Sequence, residues 1–565
     1  MTTYDNSNLA ESYSGATTPL TYSFAREVYA GVYPHFLGMM GVSRRLVEAN
    51  ADLFPNMLAF IGNNMYYNLT EWYRMLALLP AYEVNKKFFD RMLGVKEGSA
   101  ATLFVRNDDA LSWISSLKGR FRLLFQITAI VLNFLAMGFL VKRFNRRFDM
   151  IFREAKAGLP QTKTYDELVG LFQRTEKSLL ALWRTPVAND FAVMVSTGAL
   201  ASRLAKNGET GALPELLRSR SRGPLWSLDP GQALARLALH MGGEEKIVKA
   251  LRSGDVRSTL QMIDGEFPQI HSELESYIDT YGARSPHELK LESATLSERP
   301  EMLIPILAQL VERSGAGGIG GLGEGTMHRG RHGLFSELLA AWSRISIARR
   351  EETRFRRSLI FGFARTIVLA LGGMLVEHKV IGSAGDVFFL RTEELLRPFG
   401  EMKKQEGVRE LIKTRRESFA YWQMRTLPQR FETDDKVEEI ERLLRETTQP
   451  VQRRSPSLRG TPACFGGGGV FEGKALVLRS FDPDAPFIDR VLITKHTDPG
   501  WTIVFPLLRA IVVERGGMLS HAAIVARELD IPCIVGVPDA VAEFQTGEIV
   551  SVDIENGVIA HHDYA

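Results

Sequence analysis

The chain has 565 residues, too many for one ordinary domain and enough to bury a large core. Its 45% hydrophobic and 24% charged residues describe an ordinary folded protein, and a net charge of +3 gives no electrostatic case for nucleic acid as a partner. Only Cys464 and Cys533 occur as cysteines, far apart and without metal-ligand spacing, which excludes a disulfide framework and points to a reducing compartment, the cytoplasm.

Residues 1–16 are polar, lack the basic-then-apolar order of a signal peptide, and read as a disordered N-terminus. From 17 to 445 the chain reads as mainly α-helical. Asp166 to Leu182, Pro268 to Thr280, Glu301 to Arg313 and Leu334 to Leu371 carry apolar residues at three- and four-residue intervals with charges between them. Aromatic and methionine residues cluster near the start, among them Tyr29, Tyr33, Phe36, Met40, Tyr66, Tyr67, Trp72 and Tyr73; they suit an apolar substrate cavity, and the more ordinary reading is helix-interface core. Leu123 to Val141 runs without a charge and has basic residues on both sides, Lys118, Arg120 and Arg122 before, Lys142, Arg143, Arg146 and Arg147 after. Gln126, Thr128, Asn133 and Gly138 interrupt it and nothing orients it, so it reads as a buried core helix and not as an integral membrane span.

Ser314 to Gly330 is glycine-dense, but no strand feeds its GxGxxG-like spacing, so it reads as a loop over the site and not a dinucleotide cradle. After it Arg344, Arg349, Arg350, Glu351, Glu352, Arg354, Arg356 and Arg357 crowd one segment. Arg350 and Arg354, at i and i+4, share a helical face and form a fork suited to a phosphoryl group. Gly385 to Leu390 reads as a short buried strand, followed by a helix capped at Thr392. Residues 446–469 replace helical periodicity with proline, serine, arginine and glycine, the composition of a flexible linker. Beyond them short apolar runs, Gly473 to Leu478, Arg490 to Thr494, Ala510 to Val513, Cys533 to Val537, Ile549 to Val552 and Gly557 to Ala560, alternate with turns and predict a compact β/α domain at 470–565.

Within that domain the run Ala510 to Val513 enters a Gly516-Gly517 turn, Ser520 stands where an N-cap belongs, and Ala522 to Leu529 has helical composition. His521 therefore lies at a helix N-terminus, where free N–H groups and the helix dipole favour an anion, phosphate above all. A neutral imidazole nitrogen is a competent nucleophile near neutral pH, so the pattern is that of a histidine able to carry a phosphoryl group.

Gly516-Gly517-x-x-Ser520-His521-x-Ala523-Ile524-x-Ala526-Arg527-Glu528, closing with Ile531-Pro532 and Val535-Gly536, resembles the phosphohistidine signature of the PEP-utilising enzymes, the family of phosphoenolpyruvate synthase, pyruvate phosphate dikinase and rifampicin phosphotransferase. Asp530 stands where the family usually has glycine. The resemblance implies that His521 is catalytic and transiently phosphorylated, with Gly516, Gly517, Ser520, Thr497 and Arg527 supporting its loop. Thr497-Asp498-Pro499-Gly500-Trp501-Thr502 resembles the family's second signature, which implies a hydrogen bond from Thr497 to His521 and a core role for Trp501. Thr17 to Phe24 is similar to the segment that follows the ATP-binding domain in rifampicin phosphotransferase-like proteins. Tyr281 to Leu289 resembles an acceptor-domain segment, with Ala283 in place of a histidine, and implies that Arg284 and Glu288, with Arg350 and Arg354, bind phosphate or acceptor.

The sequence holds no GxxxxGK[ST] loop and no stretch suited to an ATP-grasp site, nor the family's pyruvate-binding barrel. The expectation is an α+β multidomain protein, a large mainly α-helical acceptor-binding domain at 17–445 joined to a small β/α swivelling phosphohistidine domain. It would act as a phosphotransferase subunit, with ATP and Mg2+ bound by a separate ATP-grasp subunit, no metal ligands of its own and a small organic hydroxyl or carboxylate as acceptor. An ATP-dependent condensing enzyme and a non-catalytic scaffold are the alternatives.

Overall fold

The computed structural model describes residues 2–93 apart from 7, 8, 10, 11, 14 and 81, then 117–218, 228–315, 333–433 apart from 405 and 426, 439–444 apart from 443, and 457–562 apart from 467. Most of the glycine-dense loop and the first half of the expected linker lie outside them. Helices of nine residues or more are α1 Pro19–Met39, α2 Leu69–Ala77, α3 Tyr82–Leu93, α4 Leu117–Gly158, α5 Tyr165–Asn207, α6 Asp229–Gly242, α7 Glu245–Ser253, α8 Val256–Glu266, α9 Pro268–Tyr281, α10 Leu303–Gly315, α11 Leu334–Glu377, α12 Val408–Gln423 and α13 His521–Leu529. The amphipathic runs read from the sequence fall on these helices, except that Glu301 and Met302 belong to a 3-10 turn ahead of α10. The chain forms two compact units, one of residues 1–198, 289–292 and 363–449, the other of 199–288, 293–362 and 450–565. The acceptor region expected as one domain at 17–445 is thus divided.

The first unit is helical but carries a four-stranded antiparallel sheet, β1 Thr2–Asp5, β2 Leu58–Ile61, β3 Asn64–Asn68 and β4 Arg430–Thr433, in the order β2-β3-β1-β4. Gly62 and Asn63, at φ 55° and 52°, make the two-residue turn whose twist matches the β2–β3 hairpin. The N-terminus expected to be disordered supplies β1. Its Asp5 is fully buried and accepts from Arg430 Nε at 2.7 Å and Nη2 at 2.6 Å, which holds the strand in the sheet. Proline at the first turn starts α1, and the hydroxyls of Thr18 and Thr21 donate to Glu292 at 2.9 and 2.6 Å. The early aromatic residues form helix-interface core, with Trp72 edge-on to Tyr33 at 5.1 Å and stacked on Phe89 at 5.4 Å.

Two expectations for this unit are corrected. The apolar stretch of α4 is not a buried core helix, since only 17% of its most apolar window is buried. Its inward positions include Gln126 and Asn133 beside Met137 and Val141, while Leu124, Phe125, Leu132, Leu135 and Phe139 are exposed on the other side. Residues Ala384–Phe389 form a 3-10 turn instead of a strand, because Asp386 accepts from the Gly382 and Ser383 amides, both at 3.0 Å, and closes a capped turn there. Thr392 is the first residue of the following short helix, and Arg391 is its N-cap.

In the second unit α6, α9 and α10 pack beside an eight-stranded mixed sheet. The strands are β5 Ser457–Arg459, β6 Thr461–Cys464, β7 Val470–Leu478, β8 Arg490–Thr494, β9 Ala510–Val513, β10 Cys533–Val535, β11 Ile549–Asp553 and β12 Val558–His561, in the order β5-β12-β11-β7-β8-β9-β10-β6. The domain therefore begins before residue 470, because β5 and β6 come from the stretch expected as linker. Strands β7 to β10 are parallel, and β8 to β10 are buried on both faces almost throughout, which is why they read as continuous apolar runs. Leu492, Ile511 and Val513 share a core with Leu303, Leu307 and Trp501, and the alternate residues Val491, Ile493 and Val512 face Phe544 and Val550.

Asp5→Ala removes the buried partner of Arg430 and is expected to lower unfolding stability by about 2–3 kcal/mol, read from the urea midpoint at unchanged slope. An unchanged midpoint would contradict the ordered role given to residues 2–5.

Candidate phosphohistidine site

Strands β8 and β9 run parallel in the register Thr494↔Val513, so the loops leaving their C-terminal ends start side by side, the usual place for a site in a parallel sheet. Glu514 N–H donates to Thr494 O at 3.0 Å and Arg515 N–H to Lys495 O at 2.9 Å, which ties the two loops together. The second loop turns at Gly516, whose φ of 115° no side chain adopts comfortably, and the Ser520 amide donates to Gly517 O at 2.9 Å. Ser520 caps α13 by accepting from Ala523 N–H at 3.3 Å, and His521 is the first residue of that helix. The helix ends on Asp530 at φ 57°, ψ 37°. The usual glycine is replaceable here because a short polar side chain tolerates the left-handed region, and Asp530 also pairs with Arg218 at 3.0 Å.

His521 is 3% exposed, with Nδ1 at 3.5 Å from Glu351 Oε2 on α11. That distance is an ion-pair approach longer than a formed hydrogen bond, and among the described residues neither ring nitrogen has a hydrogen-bond partner. Burial pushes the Glu351 carboxyl up, but Arg354, His521 and Arg350 together outweigh it and hold the group down at about 2. Arg354 Nη1 lies 3.2 Å from Glu351 Oε1, and Arg350 Nη2 donates to Leu519 O at 3.4 Å. One turn of α11 therefore presents a fixed carboxylate to the imidazole and two guanidinium groups around it. An anion facing Nδ1 favours the proton there and leaves Nε2 as the nucleophilic nitrogen.

Arg284 and Glu288, also singled out in the sequence, form a buried ion pair at 3.4 Å. Arg284 reaches Pro499 O at 3.5 Å and lies over the Phe355 ring, while Ser358 Oγ, one turn beyond Arg354, donates to Glu288 Oε2. They thus brace the 497–502 loop and α11 instead of meeting His521 themselves. The same loop is fitted closely, since a Cβ on Gly500 would stand 2.4 Å from Ser285 O. Trp501 is core, as expected.

Two supporting roles are corrected. Thr497 is buried, but its hydroxyl makes no hydrogen bond to His521 and has no partner among the described residues. Arg527 projects away from the histidine loop, donating to Ala463 O at 3.4 Å on β6, and burial lowers its pKa. Its position six residues after His521 places it on a different face of α13. Sequence reasoning missed Glu351 as a functional residue, although it lies between the two arginines chosen, and it missed the contact of His287 Nδ1 with Asp498 Oδ2 at 3.2 Å. The signal for the first was an acidic residue inside a basic fork.

Because folding depresses the Glu351 pKa, the stabilisation from its ionised form is complete above the unfolded value of about 4.5 and is lost as pH falls toward 2. Glu351→Gln is therefore expected to destabilise the second unit most at neutral pH, with the gap from the parent chain shrinking below about pH 4.5 in denaturation curves. A gap independent of pH would show that the carboxylate is not held ionised there.

Residues 488–557 match the family model described as PEP-utilising enzyme, mobile domain, and residues 187–360 match the one described as rifampicin phosphotransferase fourth domain. An uncharacterized phosphotransferase of Bacillus subtilis, YvkC, is 30% identical over 203 residues, 35% of this chain and 23% of that protein. Rifampicin phosphotransferase of Streptomyces sviceus is 25% identical over 305 residues, 51% of this chain and 34% of that protein. Phosphoenolpyruvate synthase of Aeropyrum pernix is 42% identical over 104 residues, 18% of this chain and 12% of that protein. The chain spans about a third or less of the length of these relatives. The first match contains His521 and its capped helix and the second contains Arg284, Glu288 and the Arg350–Glu351–Arg354 turn, so in both regions the chain is similar to PEP-utilising and rifampicin phosphotransferase-like proteins.

Proposed function

We propose that His521 carries a phosphoryl group from ATP, bound with Mg2+ on a separate ATP-grasp subunit, to the hydroxyl or carboxylate of a small organic acceptor. The observation that carries this reading is the buried imidazole at a capped helix N-terminus, set against an ionised carboxylate between two arginines. In the first step the Nε2 lone pair attacks phosphorus, the N–P bond forms, and the P–O bond to the nucleotide product breaks. In the second an acceptor oxygen attacks phosphorus, the N–P bond breaks, its electron pair returns to Nε2, and the acceptor proton passes to water. Glu351, held at about 2, is too weak a base to take that proton at neutral pH. It is a positioning residue that fixes the tautomer, and Arg350 and Arg354 bring positive charge to the phosphoryl oxygens.

The burial of His521 bears on the order of events. At 3% exposure the nitrogen is closed to a donor on another subunit, so the first step needs the sheet-bearing domain to leave α11. The arrangement described is the acceptor-side one in this reading, and swinging of that domain connects the two steps.

Incubation with ATP, Mg2+ and candidate ATP-grasp partners, followed by peptide mass spectrometry at alkaline pH, is expected to place the label on His521 only when a partner is present. His521→Ala abolishes it, and Glu351→Gln slows it on the order of 10²-fold. Label elsewhere, or none with any partner, overturns the carrier mechanism.

A further inference from the structure

The first half of α4 is built inside out. On its inward side Asn133 Nδ2 donates to Met39 O at 2.8 Å and Gln126 Nε2 to Leu78 O at 3.4 Å, and both residues are held against the first unit. On the outward side Phe121, Leu124, Phe125, Leu132, Leu135 and Phe139 are 59–79% exposed. These positions fall on one side of the helix, with Thr128 among them, and form a stripe roughly 28 Å long at the helical rise of 1.5 Å per residue. A solvated helix places its amides outward and its leucines inward. The reversed order is that of a helix whose outer surroundings are apolar.

Charge selects the occupant. From Leu117 to Phe148 the helix has no acidic residue, and the stripe ends in exposed Arg120 on one side and Lys142, Arg143, Arg146 and Arg147 on the other. Pairing with a second copy, parallel or antiparallel, sets these like charges against each other at both ends. A bilayer with anionic headgroups receives both at once, the stripe in its outer acyl region and the basic ends among the headgroups. Arg143 and Arg147 also line a cavity of about 870 Å³ beside the end of the stripe, together with Arg184 and an Arg44–Glu48 ion pair at 2.7 Å, so three unbalanced arginines of the lining add positive charge at headgroup level. The inner face of α4, where Met137, Val141, Phe144 and Phe148 are buried in the first unit, cannot be ringed by lipid, so the helix lies on the membrane and does not cross it.

We propose that the outer face of α4 docks this protein on an anionic lipid bilayer as a peripheral interfacial helix. The test is co-sedimentation of the full chain with sucrose-loaded vesicles of phosphatidylcholine alone or with about 30% phosphatidylglycerol, at low and high salt. Binding is expected to the anionic vesicles, weakening with salt, and to fall by about tenfold or more in Leu124→Gln/Leu132→Gln/Leu135→Gln and separately in Arg143→Glu/Arg146→Glu, with circular dichroism and unfolding midpoint retained. If the triple variant fails to fold, the charge variant alone decides. The proposal is overturned by absence of vesicle binding, by binding that neither variant alters, by resistance of bound protein to alkaline carbonate extraction, or by a lipid-free dimer that the triple variant dissociates.

Discussion

A carboxylate buried at Glu351 has to be paired, and its pairing organises the candidate site. Desolvation of an unpaired carboxylate in such a place costs several kcal/mol, far more than one hydrogen bond returns. Arg354 supplies one partner from the same helical turn and His521 the other from a different domain, while Arg350 holds the backbone of the histidine loop at Leu519. The pairing therefore fixes three things together: the seat of the loop on α11, the face of the imidazole turned to the carboxylate, and the positive charge left around it. The Arg284–Glu288 pair and the close fit of Gly500 on Ser285 act one step further out, holding the 497–502 loop where it flanks the histidine loop.

The same pairing sits beside a histidine that is closed off from solvent. His521 is enclosed within a core continuous from Leu303 and Leu307 to Val513 and Ala523, so water has little access to its ring. Charged contacts add to that apolar packing at this seat, among them a 3.5 Å approach and a 3.4 Å hydrogen bond, longer than the best of their kind.

Much of this was legible in the sequence, and the limits have physical causes. The capped helix at His521 was readable because its signals are local: an apolar run for β9, a glycine with positive φ, a serine at the cap. The long helices were readable from spacing, and β7 to β12 from apolar runs between turns. The small sheet β1–β4 was not, because strands of four or five residues carry too few positions for an alternation to show, and β1 finds its partners more than sixty residues away in β3 and over four hundred away in β4. Glu351 was hidden because a charged residue in an arginine-rich helix looks like part of a solvated face. Only the partner arriving from the C-terminal domain gives it a role. Arg527 erred the other way, since its place in a recognisable motif said nothing about which face of α13 it occupies. The outward stripe of α4 was visible as composition, but composition does not say which face a helix buries. The hydrogen bonds of Gln126 and Asn133 do.

The account rests on Glu351 setting the tautomer of His521, and the most direct measurement is the nitrogen NMR spectrum of histidine-labelled protein, with His521 assigned through His521→Ala. The predicted result at neutral pH is a protonated Nδ1 and an unprotonated Nε2, changing in Glu351→Gln. A protonated Nε2 in the parent chain, or a spectrum indifferent to Glu351→Gln, would contradict it.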